Sequence, residues 1–211
     1  MKPKINWPAN HPGPDAPVQK PHGSQLGQDV WSLETLKNKR NGTFVDFGAA
    51  HPITINNTWV MEQEYDWTGI SFDIGEPFAD KRGIPSTWCF WRTPQDLLEY
   101  WNSKRKTPLL IADALSVDFS VVFKQHNLPK SIDFLSIDIC PPKDSLQLLY
   151  SLPWDDYEYK TIAFEHATVH DHMWGVSTIE PSRAFMRSKG YKFIKCVGRN
   201  DDFWVHPDVK V

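Results

Sequence analysis

Apolar positions along the chain switch between two periods. Leu26, Val30, Leu33 and Leu36 form a helical stripe behind Ser24, a candidate N-cap, and Asn41-Gly42 ends it. Thr43–Phe47 is a compact apolar run that predicts a buried strand ending at Gly48. Asn56–Tyr65 reads as a second helix despite its β-branched and aromatic residues. Thr68–Asp73 is a second strand, Thr93-Pro94 opens a helix through Leu97, Leu98 and Trp101, and Pro108–Ala112 is a third strand. Ile132–Ile139 and Lys160–Phe164 are the fourth and fifth. A helix near Ser182–Ser188 stops at Gly190. Tyr191–Val197 and Phe203–Val205 then flank the turn signal Gly198-Arg199-Asn200-Asp201.

Strands that alternate with helices imply parallel βαβ units in a three-layer α/β sheet, and the terminal hairpin implies an antiparallel last strand. Residues 1–23 stand apart. Pro3, Pro8, Pro12, Pro14, Pro17 and Pro21 exclude a helix or a central strand, so this segment reads as an extended leader before a domain over 24–211. The 211 residues suit one domain with a short appendage. Hydrophobic residues at 40% and charged residues at 23% describe a globular chain, not a disordered one. A net charge of −3 argues against bulk electrostatic binding to nucleic acid or a membrane surface. No apolar run of about 18 residues spans a bilayer, and no apolar signal segment stands at the N-terminus. Cys89, Cys140 and Cys196 lie far apart with no Cys-x-x-Cys pair, which predicts buried thiols in a reducing compartment, the cytoplasm.

An open α/β sheet binds ligands beyond the carboxyl ends of its strands. Each such end here carries an acid: Asp46 with Gly48 and Ala49, Asp73, Asp113 with Ala114, Asp138, and Glu165 with His166. Gly48 lets backbone approach a ligand, or serves a tight strand-to-helix turn. The Asp73 carboxylate suits the two hydroxyls of a ribose, or is a solvated surface acid. Asp113 can accept from an exocyclic amine such as that of adenine, with Ala114 leaving room for the ring, or can cap a helix over Val117–Phe123. Asp138 ends a very apolar strand, a placement that favours a site. Glu165–His172 is the densest polar cluster, with His166 and His170 four residues apart. Without a His-Glu-x-x-His motif or a cysteine set, it points to acid–base or substrate contacts over a metal. Trp88, Trp91 and Trp101 read as core, with a stacking wall for a planar ring or a sugar as the alternative.

Four blocks occur in order: Ser24-Gln25-Leu26-Gly27-Gln28-Asp29, Gly42-Thr43-Phe44-Val45-Asp46-Phe47-Gly48-Ala49-Ala50-His51-Pro52, Asn56-Asn57-Thr58 and Trp67-Thr68-Gly69-Ile70. With Ile132–Asp138 and the Asn200-Asp201-Asp202-Phe203 ending, they make residues 24–206 resemble the FkbM family of S-adenosylmethionine-dependent methyltransferases. The resemblance implies the class I methyltransferase fold, a Rossmann-like, seven-stranded, mostly parallel sheet with an antiparallel last strand. It implies S-adenosyl-L-methionine as cofactor. Asp46, Gly48 and Ala49 would meet its methionine end, Asp73 and Ile74 its ribose, and Asp113 and Ala114 its adenine, with Asp138 beside the methyl group. Asp138, Glu165 and His166 are then the candidates for catalysis, with no metal. The expected acceptor is a hydroxyl on a sugar, glycan or natural-product-like small molecule. The first loop lacks Gly-x-Gly-x-Gly, and Asp73 stands where many relatives have Glu. A non-catalytic binding module of the same fold and a nucleotide-dependent oxidoreductase are the alternatives.

Overall fold

A computed structural model describes residues 23–76, 91, 93–166 and 177–210. Most of the leader, Trp88, Cys89, His170 and His172 lie outside the described residues. The elements run α1 (Gln28–Thr35), β1 (Thr43–Phe47), α2 (Trp59–Tyr65), β2 (Thr68–Asp73), α3 (Pro94–Lys104) and β3 (Leu109–Ile111). A 3₁₀ turn (Ala114–Ser116) precedes α4 (Phe119–Gln125), β4 (Ser131–Ile137), α5 (Pro142–Ser151) and β5 (Glu158–Glu165). The chain closes with α6 (Ile179–Ser188), β6 (Lys192–Val197) and β7 (Asp201–Val205).

The seven strands form one sheet in the order β3-β2-β1-β4-β5-β7-β6. β1 pairs in parallel with β2 and β4, and β4 pairs in parallel with β5. β7 runs antiparallel to both β5 and β6, so it alone is reversed, as the hairpin signal implies. Strand order reverses between β1 and β4, where an open sheet leaves a crevice at its carboxyl edge.

Alternation along the central strands sends side chains to two layers. Val45, Phe47, Leu135, Ile137, Ile162 and Phe164 pack against Phe119 and Phe123 of α4, Leu148 and Leu149 of α5 and Met186 of α6. Phe44, Phe134, Ala163 and Phe203 face Trp31 of α1 and Met61 of α2. Trp91 and Trp101 join a third cluster with Leu97 and Leu109, which supports the core reading for both tryptophans. The two sheet edges differ: β3 has three residues, whereas β6 is a six-residue strand, largely exposed, with a register shift between Phe193 and Lys195.

Several local expectations need correction. α1 begins at Gln28 behind Gly27, which sits at φ 77° and caps nothing with a side chain. The Ser24 hydroxyl instead donates to Asp29, whose carboxylate also accepts the Gly23 amide at 2.8 Å. α2 starts at Trp59, because Asn56, Asn57 and Thr58 commit their side chains to buried polar contacts. α5 was not anticipated from the sequence, since Pro141-Pro142 punctuates its start; Pro142 is tolerated there in the first helical turn. Cys140 and Cys196 are exposed free thiols, not buried ones, because one follows β4 in a loop and the other lies on edge strand β6.

Candidate functional site

β1, β2 and the loop between β1 and α2 form one half of the carboxyl edge. Gly48 takes φ 78°, and a Cβ there would lie 1.7 Å from the Asp138 carbonyl oxygen, so only glycine lets the loop pass β4. The Gly48 and Ala49 amides both donate to the Phe72 carbonyl, at 2.9 and 3.1 Å. Ala50 is held at φ 47°, in the left-handed region that costs a non-glycine residue about 1 kcal/mol. Its amide donates to Asp73 Oδ2 at 2.8 Å, while Gly75 donates to Oδ1 at 2.7 Å. Asp73 is therefore half-buried and structurally engaged, not a freely solvated acid. Burial pushes its carboxyl up, against the pull of those two amides. Each oxygen keeps a second lone pair for a hydroxyl donor. Ile74, the next residue, is 52% exposed and offers an apolar face beside that carboxylate.

Beneath the loop, Arg105 is fully buried with its guanidinium 4.5 Å from the Trp101 ring centre. Its Nε donates to Glu62 at 3.0 Å, Nη1 to the Pro52 carbonyl and Asn56 Oδ1, and Nη2 to Thr58 Oγ1. Asn56 in turn donates to the Ala49 carbonyl at 2.9 Å, and Thr58 donates to Asp46 at 3.1 Å. One cation thus ties the whole loop to β1. Burial pushes Asp46 up to about 6, opposed by Arg105, Ser136 and Thr58. Burial would also raise Glu62, but Arg105 and Thr107 hold it below its ordinary value.

The 3₁₀ turn at the end of β3 carries Asp113 and Ala114. Asp113 is exposed and accepts from the Leu115 amide at 2.9 Å and from the Ser116 hydroxyl at 3.2 Å. Its capping role is real but serves this turn; α4 is capped by Asp118.

The other half of the edge joins β4, β5 and β7. Asp138 follows β4 directly and hydrogen-bonds Glu165, which ends β5. Burial and the neighbouring Glu165 charge push Asp138 well above the ordinary carboxylate range. Asn200 Nδ2 bridges Glu165 at 2.6 Å and Asp201 at 3.0 Å, and Gln28 Nε2 donates to Asp201 at 2.7 Å. Burial and Glu165 push Asp201 up to about 6, against Gln28 and Asn200. Burial and the facing Glu165 charge thus both work against ionisation of Asp138 and Asp201.

His166 does not join this group. Its side chain is fully buried on the opposite face of the sheet, as strand alternation from Glu165 requires, with Nε2 3.3 Å from Asp202 Oδ1 and 3.5 Å from Cys196 Sγ. Burial would raise Asp202, but Arg183 and His166 hold it below its ordinary value.

The structure thus brings Asp46, Gly48, Ala49 and Asp73 together on one side and Asp138 with Glu165 on the other. Sequence reading missed Arg105, Asn56, Asn200, Asp201 and Gln28 as members of these networks. Gln28, Asn56, Asn200 and Asp201 lie within the motif blocks singled out above, which was the available signal; Arg105 sits in a basic run, Lys104-Arg105-Lys106, that reads as solvated surface.

No protein-family model matches the sequence, and no curated protein matches it either, so the FkbM likeness rests on the motif blocks alone. Solved structures do match. The apo TDP-rhamnose 3'-o-methyltransferase of calicheamicin biosynthesis is 13% identical, with a TM-score of 0.50, over 86% of this chain and 78% of that one. Fibrillarin from Aeropyrum pernix, solved with S-adenosyl-L-methionine bound, is 10% identical, with a TM-score of 0.45, over 85% of this chain and 73% of that one. Across such matches the chain spans from 38% to 88% of the other chain's length. The architecture is that of the class I methyltransferases. Among the described residues no helix is long and apolar enough to cross a membrane.

Proposed function

We propose that the chain is an S-adenosylmethionine-dependent methyltransferase of FkbM type. It acts in the cytoplasm on a hydroxyl of a sugar, glycan or natural-product-like small molecule. The observation that carries this reading is the pairing, across the β1/β4 crevice, of a pre-shaped loop held by Asp73 and Arg105 with the adjoining acids Asp138 and Glu165. The donor set suits the cofactor. Asp73 keeps lone pairs for ribose hydroxyls beside the exposed Ile74, and Asp113 keeps them for the adenine amine. Asn57 Oδ1, buried next to Ser136 of β4, has no hydrogen-bond partner among the described residues and offers an acceptor for an ammonium group. Asp46 lies beneath the loop and supports it through Thr58.

When bound, S-adenosylmethionine supplies a methyl group on a sulfonium whose departing thioether needs no protonation. The chain's task is then alignment and removal of one proton. Burial and the neighbouring Glu165 charge raise Asp138, which makes its carboxylate a better proton acceptor than an ordinary aspartate. In its ionised form Asp138 takes the proton of the acceptor hydroxyl as the oxygen attacks. Asn200 fixes Glu165 in place and keeps the pair oriented. His166 faces away from the pair, so Asp138 and Glu165 carry the base role in this reading.

Calorimetric titration with S-adenosylhomocysteine, followed by methyl transfer to a panel of hydroxylated sugars and small molecules, tests both halves. Saturable binding and a methylated hydroxyl product are expected. Absence of binding overturns the cofactor assignment; binding without transfer across the panel favours a non-catalytic module.

A further inference from the structure

The cluster on the sheet face away from the acid pair has its own chemistry. His166 follows β5, Cys196 lies in β6 and Asp202 in β7. Their ligand-type atoms all lie within 4.8 Å of one another. His166 Nε2 is 3.5 Å from Cys196 Sγ and 3.3 Å from Asp202 Oδ1. The carboxylate contact is long for a hydrogen bond to a ring nitrogen, which favours about 2.9 Å, while the sulfur contact is of ordinary length. They match the edges of a zinc tetrahedron, because Zn–S near 2.3 Å and Zn–N or Zn–O near 2.0–2.1 Å give edges of about 3.6 and 3.3 Å.

We propose that His166, Cys196 and Asp202 form a binding site for a zinc-type divalent cation, supplying three of its ligands from the described residues. A neutral imidazole, a thiolate and a carboxylate are a donor set that zinc favours, and they balance its two charges. Arg183 donates to Oδ2 at 2.7 Å and to Oδ1 at 2.8 Å, fixing the carboxylate as outer partners of metal ligands do, and Oδ1 keeps a second lone pair for the ion. The His166 backbone is pinned by its amide bond to the Asn200 carbonyl at 2.8 Å. Binding replaces the thiol proton with the ion and releases that proton to solvent. The ion would clamp the end of β5 to the β6–β7 hairpin. A second cluster, Glu158, His206 and Asp208, lacks this geometry. Its two acids approach different ring nitrogens, at 3.4 and 3.5 Å, so one ion cannot use both contacts.

The site stands independently of the methyltransferase reading, and cobalt substitution tests it. The full chain, stripped with chelator and titrated with Co²⁺, should bind one ion with a near-ultraviolet sulfur-to-metal charge-transfer band, and Zn²⁺ should displace it. Cys196→Ser, on an exposed edge strand that tolerates the change, should abolish the band. Arg183→Gln should weaken affinity about 10–100-fold. Cys89→Ser, Cys140→Ser and His206→Gln should keep band and affinity. No charge-transfer band in the parent chain overturns the proposal, as does a band that survives Cys196→Ser or is lost in any of the three controls.

Discussion

The two halves of the carboxyl edge use the same functional group in opposite ways. Around β1 and β2, acids are paired off: Glu62 meets a buried guanidinium, and Asp73 accepts two backbone amides. Around β4, β5 and β7, Asp138, Glu165 and Asp201 face one another with only amide donors between them. The first arrangement fixes the shape of a loop, and the second holds Asp138 and Asp201 above the ordinary carboxylate range. The proposed function would draw on both, a rigid cradle for one substrate and a proton acceptor beside the other.

The sharpest way to break the contrast is to remove the cation from the rigid half. Arg105→Met leaves Glu62 buried and unpaired, so unfolding free energy should fall by about 3–5 kcal/mol in a urea titration. A loss below about 1 kcal/mol would mean the network is ornamental. Next comes the acid-rich half around β4, β5 and β7. Asp138→Asn should lower the maximal transfer rate about 10²–10⁴-fold while S-adenosylhomocysteine affinity stays unchanged. An equal fall in both would put Asp138 in the cradle instead. In the reverse sense, Asp73→Ala should weaken S-adenosylhomocysteine by roughly 1.5–3 kcal/mol, and unchanged affinity would remove Asp73 from the site.

The smallest effect is in pH. Asp201 has a folded value of about 6, above its unfolded value near 3.9, so the native state binds the extra proton and stability falls as pH rises through that window. Asp201→Asn cannot ionise. It should gain about 1–2 kcal/mol over the parent at pH 7, after allowance for water and relaxation, and gain least near pH 4. Asp202 carries the opposite sign. Its value is depressed, so its contribution is present above the unfolded value and lost as pH falls through the folded one. Asp202→Asn should therefore cost most at neutral pH. Urea midpoints at pH 2.5, 3, 4, 5, 6 and 7 for both variants check the pair of signs, Asp201 above pH 4 and Asp202 below it; parallel profiles would refute the contrast.

Strand ends were readable because β1, β2 and β4 are short apolar runs with an acid at the last strand position or one residue to either side of it. The pairing of Asp138 with Glu165 was readable only as proximity to one edge. Register decides the rest: Glu165 stands opposite Asp201, so Asp201 joins the acids while Asp202, one position on, turns to Arg183 on the other face. No local pattern announces which of two adjacent aspartates faces which layer. Arg105 was illegible for a different reason. Its neighbours in sequence are cations, and its partners Pro52, Asn56, Thr58 and Glu62 lie 43 or more residues away. The start of α1 was misplaced because a left-handed glycine and a hydrogen bond donated by the Ser24 hydroxyl to Asp29 replace the expected cap.

The exposed flank of β6 has a consequence for assembly. An open strand edge is a template on which another chain can add, and sheets survive in crowded solution by spoiling that template. Here the register shift between Phe193 and Lys195 bends the hydrogen-bonding row, and Lys192 and Lys195 carry charge along it. An incoming strand would have to desolvate those ammonium groups and straighten the bulge for each pair it formed. The flank therefore ends the sheet chemically as well as topologically, and copies of the chain are kept from extending one another strand by strand.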